Sequence, residues 1–253
     1  MRRENMQRYF VSDKAFQGDI IKLSQEDFFH MQKVMRMKDG EKVTCVNENE
    51  EVFLCELSDH TQPELHIIEK IEEKHELDVC VRLIYGLPKL DKFEYVVQKC
   101  TELGVSEIVP LLSKRSLIKT DANRFEKKAE RMRKIIKEAS EQSKREKIVK
   151  LHMPMTIKEI LALKADYLLV ADEEESKQHE CQKFELCLKS LKPKDVINIV
   201  VGPEGGFDRE EIMFLKDNGY QSCSLGTRIL RSETAPLYMM SVIGFYRELK
   251  EAL

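Results

Sequence analysis

Two short stretches of this chain carry the residues best suited to chemistry on a bound ligand. The first is Val200-Val201-Gly202-Pro203-Glu204-Gly205-Gly206-Phe207-Asp208. Three glycines around a proline force a tight turn, and Gly202, Gly205 and Gly206 let a ligand approach the backbone because no Cβ stands in the way. Glu204 adds a carboxylate. Asp208 and Glu211 have capping-box spacing, and Phe207 is placed to staple onto Ile212, so the loop should run into a firmly started helix with N–H groups exposed beside it. The second stretch is Ser224-Leu225-Gly226-Thr227-Arg228-Ile229-Leu230-Arg231-Ser232-Glu233-Thr234-Ala235-Pro236. Here Ile229 and Leu230 are large aliphatics in what reads as a loop, flanked by Arg228, Arg231 and Glu233. With Leu225 and Gly226 they would suit a flat apolar ligand of adenine size; packing into the core accounts for them equally well. Neither stretch is a phosphate cradle. There is no G-x-x-x-x-G-K-[ST], no G-x-G-x-x-G with a ribose-binding acid downstream, and no G-x-S-x-G elbow. A nucleoside-like ligand held by backbone atoms is the expectation.

The charge around these loops is uneven. Between Ser113 and Lys150 fourteen Lys and Arg stand against six acids, a local excess of eight in a chain whose net charge is −3. A mixed charge run is commonly a solvated helix laced with i,i+4 pairs, but this excess is one-signed. A second basic group, Arg2, Arg3, Arg8, Lys33, Arg36 and Lys38, lies near the start. Two basic clusters on an otherwise acidic chain are the footprint of a polyanion-binding protein. Arg8, Lys33, Arg36 and Lys38, together with Arg131, Lys134, Lys137 and Arg145, are therefore candidate nucleic-acid contacts.

Elements that position these residues follow from hydrophobic period. Up to about residue 75 the chain reads as short strands at Asp19–Leu23, Glu41–Asn47, Val52–Leu57 and Leu65–Ile71, interrupted by one helical piece at Gln25–Met35 with Ser24 as N-cap. That pattern fits a small β-barrel. The polar run 72–76 is a natural linker. Beyond it strand and helix alternate: strands at Val79–Tyr85, Ile108–Leu112, Tyr167–Ala171, Val196–Val201 and Ser222–Leu225; helices at Asp91–Leu103, closed by Gly104, then Asp121–Ser143, Glu180–Ser190, Arg209–Asn218 and Ala235–Lys250. Continuous apolar strands between helices predict a mostly parallel, doubly covered sheet. Both chemical loops then leave C-terminal strand ends, where open α/β sheets bind ligands. The expected division is 1–75 and 76–253.

At 253 residues and 42% hydrophobic the chain has the material for one large domain or two modest ones. No apolar run is long enough to span a bilayer, and the first ten residues contain no apolar h-region of a secretory signal. Seven cysteines without a C-x-x-C, and six histidines without an H-x-x-x-H pair, argue against a disulfide framework or structural zinc. No membrane, no metal and a reducing cytoplasmic setting are the expectations. On the last helix, Tyr238, Val242, Phe245 and Leu249 recur at helical spacing and predict a stripe packed on the sheet. Ser241 and Gly244 make a small-residue notch suited to a second copy.

Six ordered motifs resemble a known family, the bacterial 16S ribosomal RNA uridine-N3 methyltransferases of the SPOUT superfamily. They are Met6-Gln7-Arg8-Tyr9-Phe10, His30-Met31-Gln32-Lys33-Val34-Met35-Arg36-Met37, Gln98-Lys99-Cys100-Thr101-Glu102-Leu103-Gly104, Glu138-Ala139-Ser140-Glu141-Gln142-Ser143, and the two loops, where the match is most specific. The likeness covers essentially the whole chain. One departure stands out: after Ser143 the family usually has Gly-Arg, and here stand Lys144-Arg145.

The resemblance implies an α+β two-domain chain: an N-terminal PUA-like β-barrel that binds RNA and a C-terminal α/β SPOUT domain threaded into a trefoil knot, itself an exception to the un-knotted rule. It also implies S-adenosyl-L-methionine as cofactor at Gly202, Glu204, Gly205, Gly206, Leu225, Gly226, Ile229 and Leu230. The implied assembly is a homodimer whose site draws on both copies. The implied substrate is one uridine (uracil 1498) of 16S rRNA in the small ribosomal subunit. Methylating uridine N3 requires loss of a weakly acidic proton, so the enzyme needs a base or a cation that stabilises the N3 anion and its flanking carbonyl oxygens. Arg231 is the expected cation, with Arg145 or Arg8 reaching in; Glu233 or Glu204 is the expected base, and each would serve equally as a cap or ribose contact. A non-catalytic RNA-binding protein of the same fold and a tRNA methyltransferase are the alternatives.

Overall fold

The computed structural model describes residues 6–116, 122–177 and 182–250; Arg2, Arg3, Asp121 and Glu180 lie outside them. It divides into two compact units, residues 1–76 with 140–147, and residues 77–139 with 148–253. The expected break near residue 75 thus falls at 76/77, with one addition that the sequence did not announce. Ser140–Lys147, at and beyond the end of the basic helix, belongs to the first unit.

In the first unit β1 (Arg8–Phe10), β2 (Phe16–Gln17), β3 (Ile20–Lys22), β4 (Lys42–Val46), β5 (Val52–Glu56) and β6 (Glu64–Ile71) form one sheet of order β1-β4-β5-β6-β3-β2. Only β1 and β4 are parallel; the other pairs are antiparallel. β1 was not foreseen, because Arg8-Tyr9-Phe10 is too short for an alternation to register. Helix α1 (Gln25–Phe29) starts at Ser24, whose Oγ accepts from the Asp27 N–H at 3.0 Å. It widens into a π-helical turn over His30–Val34. Tyr9, Ile21, Met31, Val43, Cys55 and Leu65 make the core.

The second unit is a parallel sheet of order β10-β8-β7-β12-β11-β13, with β9 paired to β8. Its elements run β7 (Cys80–Gly86), α2 (Leu90–Glu102), β8 (Glu107–Leu112), α3 (Ala122–Gln142), β9 (Lys150–Leu151), β10 (Met155–Thr156), β11 (Tyr167–Ala171), α4 (Glu173–Lys177), α5 (Lys183–Ser190), β12 (Val196–Val201), α6 (Arg209–Asp217), β13 (Gln221–Cys223) and α7 (Thr234–Gly244). A further π-helical turn follows over Phe245–Lys250. Alternation along β7 sends Val81, Leu83 and Tyr85 into a core shared with α2, α3, α5 and α7, and Ile84 into a second core shared with α6. Both faces are covered, and this is why the strand reads as one apolar run. Gly104 adopts φ +88° beyond α2, the left-handed C′ conformation its type suggested. Arg247 is buried and holds the last turn by two bonds to Asp78, at 2.9 and 2.6 Å.

Helix α7 corrects one expectation. Its buried residues are Ala235, Pro236, Met239, Met240 and Ile243. The stripe expected to pack on the sheet instead faces outward: Tyr238, Phe245 and Leu249 are exposed and Val242 is half-buried. Among the described residues no helix is long and apolar enough to cross a membrane.

Candidate active site

Four strand ends of the parallel sheet build the site. β12 runs out at Val201 into the glycine loop, β13 into Ser224–Glu233, β11 into Asp172, and β7 into Gly86. The first two loops, with Asp172 and Arg115, enclose a cavity of about 560 Å³, within the range of small-molecule sites. Gly202, Glu204, Gly206, Leu225, Gly226, Ile229, Leu230 and Arg231 all line it. The second loop is therefore not simply core. Leu230 packs partly against the core, whereas Ile229 is 78% exposed at the cavity.

Gly205 corrects the expected set. It does not line the cavity; a Cβ there would stand 3.4 Å from Arg115 Cβ, and its carbonyl accepts from Arg115 Nη1 at 3.1 Å. Gly205 fits the loop to Arg115 rather than to a ligand. Gly206 (φ +65°) and Gly226 (φ +102°) hold left-handed backbone that other residues adopt only with strain. The sequence missed Gly86. A Cβ on it would lie 2.4 Å from Pro203 N and 2.9 Å from Gly202 C, so the backbone of β7's end and the glycine loop touch only because that atom is absent.

The loop is anchored as its spacing implied. The Asp208 side chain accepts from the Glu210 N–H at 3.1 Å, Glu211 closes the capping box on the Asp208 N–H at 3.0 Å, and Phe207 packs with Ile212. Glu211 also accepts from the Lys114 N–H at 2.8 Å. Those last two bonds explain why this acid is buried.

Two carboxylates meet at Lys92, in the first turn of α2. Lys92 Nζ donates to Glu233 Oε2 at 3.1 Å and lies 3.8 Å from Glu204 Oε1. The Lys89 N–H donates to the same Glu204 oxygen at 3.3 Å. The buried Tyr85 hydroxyl, its pKa raised by desolvation, donates to Ser232 Oγ, and Ser232 donates on to Glu233. Burial pushes the Glu233 carboxyl up, but hydrogen bonds from its own amide, Lys92 and Ser232 outweigh that and hold it below the usual carboxylate range. Glu233 does not line the cavity; it is ionised and engaged. Glu204 Oε2 differs. The residue lines the cavity, while this oxygen is buried and has no hydrogen-bond partner among the described residues, and a buried acceptor left unmade is costly.

Arg231, exposed on the cavity wall, is free to meet substrate charge. Arg8 and Arg145 are not, and this overturns both as RNA or substrate contacts. Arg8 is 1% exposed, forms an ion pair with Glu73, and donates to the Arg145 carbonyl at 3.0 Å and Thr44 Oγ1 at 3.2 Å. Arg145 is 2% exposed and donates to both oxygens of Glu76, at 3.1 and 2.6 Å. Both guanidinium groups bind the segment 140–147 into the first unit. Lys33, Arg36, Lys38, Arg131 and Lys134 are exposed, with Arg131 donating to Glu94 at 2.8 Å. Sequence reasoning also missed Arg115, Asp172 and Arg209. Arg209 donates to both oxygens of Asp172, at 3.0 Å each, across the cavity wall; Asp172 follows a strand whose end was read correctly, and that position was the available signal.

Cavity size, exposed aliphatics, left-handed glycines and an unfilled buried acceptor all fit an adenosyl cofactor. Comparison with known proteins agrees. Residues 75–244 match an RNA methyltransferase domain family and residues 23–73 an RNA methyltransferase PUA domain family. "Ribosomal RNA small subunit methyltransferase E" of Bacillus subtilis is 37% identical over 251 residues, covering 96% of this chain and 98% of that protein. The protein of the same name from Mesomycoplasma hyopneumoniae is 34% identical, covering 93% and 98%. A putative methyltransferase from Legionella pneumophila, solved with bound SAM, superposes with a TM-score of 0.81 at 29% identity, covering 94% and 97%.

Proposed function

We propose that this chain, which belongs to the RNA methyltransferase family, transfers a methyl group from S-adenosylmethionine to N3 of one uridine in the 16S RNA of the small ribosomal subunit. The observation that carries the reading is the convergence of the β12 and β13 loops on one cavity, with Glu204 Oε2 buried and unpartnered in its wall. When bound, the cofactor supplies an electrophilic methyl on a sulfonium. Gly202, Gly206, Leu225, Gly226, Ile229 and Leu230 would hold it, the glycines by backbone approach and the aliphatics against its flat base.

On this reading Arg231 stabilises the N3 anion and the flanking uracil oxygens as the proton leaves. Of the two acids we assign the proton acceptor to Glu204, because it lines the cavity and keeps one oxygen without a hydrogen-bond partner among the described residues, whereas Glu233 does not line the cavity and is engaged by Lys92. Glu233 then positions Lys92, and Lys92 fixes the other oxygen of Glu204. The finer fold assignment, a trefoil knot through the β12–α7 region, belongs to the same reading. So does a homodimer, supported by the outward stripe Tyr238, Phe245 and Leu249, and by Gly244, where a Cβ would meet only Glu248 Oε2 at 3.5 Å. A ribosomal substrate places the activity in the cytoplasm.

Transfer of label from methyl-labelled cofactor to purified small subunits, with bulk tRNA in parallel, tests the assignment. N3-methyluridine in digested 16S RNA is the expected product. Label entering tRNA alone identifies a tRNA enzyme, and cofactor and RNA binding without transfer identifies a non-catalytic binder.

A further inference from the structure

We infer that the outward face of residues 29–38 docks a single-stranded stretch of the RNA substrate, with Phe29 stacking one unpaired base. The inference rests on the RNA methyltransferase reading and adds a contact that neither the cavity nor the basic helix supplies.

The local fold creates this face. Asp27, Phe28 and Met31 turn inward, and the Tyr9 hydroxyl meets His30 Nδ1 at 3.1 Å. From His30 the helix widens, the Met35 N–H bonding to the His30 carbonyl at 2.9 Å. In a π turn the positions four and five residues on share a face with the first, so Lys33 and Val34 follow Phe29. All three are exposed, Phe29 at 61% and Val34 at 60%, and Met35 is exposed at 45%. Phe29 is the most exposed aromatic among the described residues. π turns recur at functional sites. Arg36 then takes φ +54°, a left-handed conformation that an arginine adopts at a cost.

Charge selects the occupant. The side-chain cations of Lys33, Arg36 and Lys38 form no ion pair among the described residues, the Glu41 carboxylate being taken by the Lys38 backbone N–H at 3.0 Å, whereas Arg8 and Arg145 of the same unit are both paired and buried. Uncompensated cations beside an open aromatic repel a second copy of the same face and attract a phosphate backbone. Alternation of stacking platform and cation is the recognition chemistry of single strands. Paired bases are already stacked, so the base on Phe29 is unpaired.

The experiment compares wild type, Phe29→Ala, Phe29→Trp and a Lys33→Gln/Arg36→Gln/Lys38→Gln triple, each checked for unchanged melting and cofactor affinity. Binding and methyl transfer are measured on deproteinised small-subunit RNA and on intact subunits. Phe29→Ala should weaken RNA binding and raise KM for RNA about ten-fold, leaving kcat and the salt slope unchanged, and Phe29→Trp should restore both. The triple variant should flatten the slope of log K against log salt by about two units. Unchanged RNA affinity in Phe29→Ala, with wild type active, overturns the inference and leaves the proposed function standing. A loss confined to intact subunits assigns the face to a ribosomal protein, and a change of sedimentation without loss of RNA binding assigns it to a second copy; either overturns it. Wild type that binds and methylates no small-subunit RNA refutes the functional reading itself.

Discussion

Arginines of the two units meet opposite fates, although the sequence presents them alike. In the first unit Arg8 and Arg145 are almost wholly buried, and between them they engage Glu73, Glu76, Thr44 and the backbone of residues 144–145. In the second, Arg228 and Arg231 stand exposed on a cavity wall. The first pair is architecture and the second is available for chemistry. Charge at a position says only that a counter-charge is needed; whether it comes from the protein or the substrate is decided by which carboxylates the fold brings within reach.

The strongest way to break this contrast is to remove one member of each pair. Arg8→Leu takes the guanidinium away from the part-buried Glu73 and the buried Glu146, and its donors away from the carbonyls of 144 and 145, at a cost of about 3–5 kcal/mol to the first unit. Circular dichroism melting should show that loss. Arg231→Leu should leave melting unchanged and reduce methyl transfer by about a hundred-fold or more, with RNA and cofactor still bound. If Arg8→Leu melts like wild type while RNA binding falls, Arg8 is a substrate contact after all.

A second test asks how far the cavity depends on backbone proximity. Gly86→Ala places a methyl 2.4 Å from Pro203 N, where no flexible side chain can yield. Overpacking of this kind costs about 1–3 kcal/mol. The glycine loop must shift to relieve it, so cofactor affinity should fall roughly ten-fold or more by calorimetry. Gly205→Ala, whose methyl meets Arg115 at ordinary contact distances of 3.4 Å and beyond, should bind the cofactor nearly as wild type does. Equal losses in the two variants would return Gly205 to the ligand-facing set.

These cases mark what was legible. The strands Tyr167–Ala171 and Val196–Val201 and the capping box at Asp208 were readable because period and cap chemistry are local. The loops Gly202–Gly206 and Leu225–Leu230 were readable because their types are rare together. Gly86 was not, since its partner lies more than a hundred residues away and a lone glycine at a strand end has many explanations. Nor were Lys92 and its two carboxylates: an isolated lysine in a helix gives no signal until three elements converge. The outward stripe on α7 shows the limit of period itself, which finds an apolar face without saying what covers it.

The smallest expected effect concerns the join that Arg8 and Arg145 secure. Lys144 takes φ +58°, the left-handed region, at the place where the related family usually carries glycine. A non-glycine residue there costs roughly 1–2 kcal/mol, and the cost is borne because the Arg8 guanidinium takes the Lys144 carbonyl at 2.5 Å and the Ser140 carbonyl takes the Arg145 N–H at 2.9 Å. Lys144→Gly relieves the strain but gives the unfolded chain more freedom to lose on folding, about 0.4–1 kcal/mol in the opposite direction. The net expectation is a first unit more stable by a few tenths to about 1 kcal/mol, read as a higher denaturant midpoint with unchanged m-value. In an Arg8→Leu background that gain should shrink, because the guanidinium that holds the Lys144 carbonyl is gone and the backbone there can relax. A destabilised Lys144→Gly protein would show instead that the lysine side chain contributes more to this join than its backbone strain costs.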